Sequence, residues 1–67
     1  MKRSEAIGKK VYFRNKNDIT TIKEIRKLEN YDKSEKDMFL CYLENGALVN
    51  CDILYLVEGT IPLIIED

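Results

Sequence analysis

Apolar and polar positions alternate along several short stretches of the chain, and polar clusters separate them. In Val11-Tyr12-Phe13 a period of two sends Val11 and Phe13 one way and Tyr12 the other, so residues 9–14 read as a strand. Asn15-Lys16-Asn17-Asp18 is a turn cluster. From Ile19 the apolar residues recur at 19, 22, 25 and 28. On a helix that spacing slips by about 60° per step and puts Ile19 and Leu28 on opposite sides. The run Ile19-Thr20-Thr21-Ile22 is β-branched throughout, which favours a strand. One bulge in that strand brings Ile22 and Ile25 to the same face. A helix over 18–30 stays open beside it, with Asp18 as N-cap and Thr21-x-x-Glu24 as a capping box. Residues 29–37 are polar around Tyr31 and read as a solvated loop.

Asn45-Gly46, set between Met38–Leu43 and Ala47–Cys51, is a strong hairpin signal. A two-residue loop pairs Glu44 with Ala47, Leu43 with Leu48, Tyr42 with Val49, Cys41 with Asn50 and Leu40 with Cys51. One face then carries Met38, Leu40, Tyr42, Val49, Cys51 and Ile53. The other carries Phe39, Cys41, Leu43, Leu48, Asn50 and Asp52. Both faces are largely apolar, so the hairpin is either buried on both sides or meets a partner on one. The same register puts Cys41 and Cys51 on opposite faces, which disfavours a disulfide between them. Asp52 can cap a short turn, and Tyr55-Leu56-Val57 reads as a last strand. In Ile61-Pro62-Leu63-Ile64-Ile65, Pro62 restricts the segment to an edge strand or an extended arm.

Gly8-Lys9-Lys10-Val11-Tyr12-Phe13, Thr21-Ile22-x-x-Ile25, Phe39-x-Cys41-x-Leu43-Glu44-Asn45-Gly46 and Asp52-Ile53-Leu54-Tyr55-Leu56-Val57 follow one another in an order similar to that of the small SH3-like barrels. That class includes KOW and Tudor-type modules and many short phage- and plasmid-encoded proteins. The resemblance covers roughly residues 8–58. It implies an all-β, five-stranded barrel and a binding module, with strands near 9–14, 19–27, 38–44, 47–51 and 54–57. The alternative is an α+β fold with residues 18–30 helical. The domain reading is a flexible N-terminus over 1–7, the barrel over 8–58 and an apolar C-terminal arm over 59–67. Val11, Phe13, Ile22, Ile25, Phe39, Leu43, Leu48, Ile53 and Leu56 form the expected core, with Cys41 beside them.

Composition narrows the function. The chain has 67 residues, enough for one small core. Met1-Lys2-Arg3 is followed by no apolar leader segment, and the apolar runs fall far short of the ~20 residues a spanning helix needs. The expectation is a cytoplasmic protein away from membranes, with its two cysteines reduced and buried. Eight Lys against three Arg, with frequent Ile and Asn, suggest AT-rich coding and a bacterial or phage source.

There is no His, the usual acid–base group near neutral pH. Ser4 and Ser34 have no plausible base beside them, and the glycines form no phosphate-cradling motif. No enzyme activity, metal or cofactor is expected. All eleven basic residues lie within 1–36, where six acids leave a balance of +5, and residues 37–67 carry six acids and no base.

Two binding functions follow. The first is protein–protein interaction through the apolar arm (Ile61, Leu63, Ile64, Ile65), as in a phage or plasmid effector of a host protein, or as a homodimer. The second is nucleic-acid binding through Lys9, Lys10, Arg14, Lys16, Lys23, Arg26 and Lys27, with Tyr12 for stacking.

Overall fold

A computed structural model describes residues 1–28 and 38–66. The chain is mostly β. One helical turn, α1 (Arg3–Ala6), precedes β1 (Lys10–Tyr12), β2 (Thr20–Leu28), β3 (Met38–Leu43), β4 (Leu48–Asn50), β5 (Tyr55–Leu56) and β6 (Ile61–Pro62). A 3-10 turn at Cys51–Ile53 separates β4 from β5, and another at Glu58–Thr60 separates β5 from β6. The strands form one antiparallel sheet in the order β4-β3-β2-β1-β5-β6. β4 and β6 end that order, so the sheet is open among the described residues.

β2 settles the ambiguous stretch. Thr20–Leu28 is strand, not helix. Its pairing with β3 steps from Ile22↔Leu43 to Glu24↔Tyr42, leaving Lys23 as one extra residue. This is the expected bulge, and both Ile22 and Ile25 point into the core. Thr20 and Thr21 pair with β1, while the rest of β2 pairs with β3. One long strand thus serves two halves of the sheet. Val11, Leu54, Leu56 and Leu63 from one half share a single cluster with Ile22, Ile25, Cys41 and Leu43 from the other. A sheet whose two halves contribute to one cluster must fold over on itself.

The hairpin departs from expectation by one residue. Leu40 pairs with Asn50, Cys41 with Val49 and Tyr42 with Leu48. Its loop has three residues, Glu44-Asn45-Gly46. Gly46 N–H donates to Leu43 O at 2.9 Å, Leu43 N–H donates to Ala47 O at 2.9 Å, and Gly46 has φ +89°. This is a turn closed by a left-handed residue, the common three-residue hairpin connection. The Asn45 side chain accepts from Ala47 N–H at 2.9 Å and braces it.

A slip of one residue turns every side chain of a strand to the opposite face. Leu48 is therefore not core but 51% exposed, and Val49 packs inward in its place. The same slip brings Cys41 and Cys51 to one face, where they form a disulfide with Cα atoms 5.7 Å apart. The expected reduced, unpaired cysteines are corrected accordingly.

The other core differences are equally local. Asn50, not Asp52, caps the turn after β4, accepting from Asp52 N–H at 3.2 Å. The turn therefore ends at Ile53, which is exposed, and Leu54 takes the core position. β1 ends at Tyr12, so Phe13 leaves the sheet and is also exposed. Phe39 is half-buried against the cluster.

The sheet has six strands where five were expected. The sixth is the Ile61–Pro62 segment, which pairs with β5 as an edge strand, a place where proline's missing N–H is tolerated. Leu63 N–H donates to Leu54 O at 2.9 Å, and the arm continues past the N-terminus. There the Met1 amine donates to Ile64 O, and Glu66 N–H to Met1 O. Residues 1–7, expected as a flexible terminus, carry α1, whose Ala6 is in the core. Tyr31 and the 29–37 loop lie outside the described residues. Among the described residues no helix is long and apolar enough to cross a membrane.

Two measurements check this architecture. Closing a loop of sequence separation 10 removes chain entropy worth about 2.5–3 kcal/mol. The Cys41→Ala/Cys51→Ala variant should lose about that much stability in urea denaturation, and unreduced protein should resist alkylation even when unfolded. Gly46→Ala meets no atom within 4 Å, so its cost is the left-handed backbone alone, about 1–2 kcal/mol. Gly46→Asn should lose less in the same assay.

Candidate functional site

The outer side of the β2–β3–β4 layer presents an apolar face. Arg26↔Leu40, Leu28↔Met38 and Tyr42↔Leu48 are cross-strand neighbours on it. They lie on the side opposite Ile25, Cys41 and Val49, which point inward. Leu28, Met38 and Leu48 are exposed and Leu40 and Tyr42 half-exposed. Among the described residues, the side chains on this face carry two charges, those of Glu24 and Arg26. Arg26 bonds to Glu24 at 3.3 Å and lies over the Tyr42 ring, 5.2 Å from its centre. The pair neutralises itself and leaves an apolar centre. Leu40 and Asn50 also lie on this side.

The arm residues divide. Leu63 is inside the core and Ile65 packs half-buried against it. Ile61 and Ile64 are exposed. The arm's backbone is thus used within the chain, and only these two side chains of the four offer fresh apolar surface.

The basic candidates are dispersed. Lys9, Lys10, Arg14, Lys16, Lys23, Arg26 and Lys27 are all exposed. Arg26 and Lys27 are consecutive in a strand and so lie on opposite faces. Lys23 sits at the bulge. Arg14 stacks on Phe13, 4.7 Å from the ring centre. Tyr12, expected to face outward beside Lys10 and Arg14, is 8% exposed. Its cross-strand neighbour Tyr55 covers it, with ring centres 5.5 Å apart and planes inclined by 14°. That ring is not open to a nucleobase.

A cavity of about 590 Å³ opens at the start of β1. Leu56, Val57 and Ile61 form its apolar wall, and Lys9, Lys10 and Glu58 reach its lining. No group of three cysteines or acids among the described residues could hold a metal ion. No protein-family model matches this chain, and no curated protein or solved structure is significantly similar to it.

The apolar face was only half legible in advance. Met38, Leu40 and Tyr42 stand out as one side of β3, but Leu48 joins them only once the loop length is known. The Tyr12–Tyr55 stack has a direct test. An offset aromatic pair contributes about 0.5–1.5 kcal/mol beyond area burial. Tyr55→Ala should therefore destabilise by at least that amount in chemical denaturation, and Tyr55→Phe, which keeps the ring, should be close to neutral.

Proposed function

We propose that this protein is a non-enzymatic protein-interaction module built on an SH3-like barrel, with the outer β2–β3–β4 face as its contact surface. The observation that carries this reading is the cross-strand apolar set Leu28, Met38, Leu40, Tyr42 and Leu48 around one self-neutralised Arg26–Glu24 pair. Apolar centres with an aromatic and an arginine are the residue types that dominate protein contacts. The barrel reading is supported by the position of β1 between β2 and β5, and by the sharing of long β2 between both halves.

The occupant is a second copy of the chain. A two-fold contact presents the same patch twice and must be self-complementary. A face with one acid and one base meets that demand, since Arg26 of each copy faces Glu24 of the other without net repulsion. The remainder of the C-terminal half carries acids alone and would repel its own image.

Compartment belongs to this reading too. The expected cytoplasmic placement implies reduced cysteines, whereas a Cys41–Cys51 bond favours an oxidising environment. The oxidation state of the pair in freshly lysed, alkylated cells decides between them.

Sedimentation equilibrium tests the contact. The wild-type mass should rise with concentration toward that of a dimer. Leu48→Glu with Met38→Glu should remain monomeric, and its unfolding midpoint should match that of the wild type at concentrations low enough for both to be monomers, since both positions are exposed. A wild-type chain that stays monomeric up to millimolar concentration would overturn the second-copy occupant.

A further inference from the structure

We propose that the cavity at the start of β1 binds a medium-chain aliphatic carboxylate. The chain would lie on Leu56, Val57 and Ile61, and the carboxylate would be held by the ammonium groups of Lys9 and Lys10. The cavity shares no residue with the outer β2–β3–β4 face and stands independently of the function proposed for it.

Three observations carry this site. First, about 590 Å³ with an apolar wall is the size and character of a small-molecule pocket. Ile61, on edge strand β6, is 52% exposed. That leaves apolar surface open beside the mouth.

Second, Lys9 and Lys10 form no hydrogen bond or ion pair with another described residue, while their backbones are held. Lys9 N–H donates to Ala6 O at 3.0 Å, Lys9 O accepts from Ile22 N–H at 3.1 Å, and Lys10 O accepts from Val57 N–H at 3.0 Å. Two ammonium groups without a partner among the described residues thus stand on a fixed base. Met1 also borders the cavity, but its amine pairs with Glu66 at 3.9 Å. Glu58 is the one acid on the lining and offsets one lysine, so one positive charge is left over and the complement is a single anion.

Third, those same bonds occupy backbone groups on the β1 side of the mouth, including Gly8 N–H, which donates to Ile22 O at 2.8 Å. A peptide would find few partners there for its own amides. A hydrocarbon chain needs none.

The test is a titration of the intact protein followed by amide chemical shifts, with octanoate, octanol and octyltrimethylammonium as probes below their aggregation concentrations. Octanoate should shift the amides of Gly8, Lys9, Lys10, Val57, Glu58 and Ile61 saturably. Octanol should bind about tenfold more weakly, because each partly exposed ion pair contributes a factor of about three. Octyltrimethylammonium should bind more weakly still.

Lys10→Gln should weaken octanoate by about threefold, and Glu58→Gln should tighten it by a similar factor. Ile61→Asp should abolish it, with the amide shifts of the core unchanged. Binding of octanol or the cation as tight as that of octanoate would overturn the proposal. So would shifts that fall elsewhere, or the absence of saturation.

Discussion

The left-handed backbone at Gly46 is the constraint on which the outer face and the disulfide both depend. A residue without a Cβ enters that region at little steric cost, and here it closes a three-residue loop. The loop sets β3 and β4 in the register that pairs Cys41 with Val49. Everything on β4 follows from that count. Val49 and Cys51 turn inward, Leu48 turns outward, and the two sulfurs meet. With a two-residue loop Leu48 would turn inward, the cysteines would face apart, and Val49 would replace Leu48 on the outer face.

A second irregularity does comparable work in β2. The extra residue Lys23 lets one strand keep Ile22 and Ile25 inward although they are three apart. Bulges also bend the strand that carries them. β2 passes from its pairing with β1 to its pairing with β3 in this region, so the bend lies where the two halves of the sheet join. A chain this short has little surface to bury. Bringing both halves onto one cluster, with the disulfide inside it, uses the available apolar side chains economically.

The two candidate binding regions differ in chemistry because they lie on different elements. The outer β2–β3–β4 face is apolar and charge-neutral, which suits another folded surface. The cavity by β1 joins an apolar wall to two lysines, which suits a small amphipathic anion. The segregation of charge along the chain does not translate into one basic face. Strand geometry sends Arg26 and Lys27 apart, and Arg14 and Arg26 are occupied by aromatic rings.

Much of the local structure is written in the residue pattern. β-branched density marks β2 as a strand, the three-residue spacing calls for its bulge, Asn45-Gly46 marks the hairpin, and Pro62 marks an edge. Those features are local, because backbone propensity and period-two alternation act over a few residues. The registers are another matter. Asn45-Gly46 is compatible with loops of two or three residues, and choosing between them depends on which β4 face finds partners in Ile22, Ile25 and Leu54. The same holds for Tyr12, whose outward position is legible but whose cover by Tyr55 arises from a strand more than forty residues away. It holds also for the cavity, assembled from the start of β1, the end of β5 and the edge at Ile61. Sequence alone therefore determined which segments are strands and where they turn. Tertiary structure decided which way they face, because facing is set by contacts between residues distant along the chain.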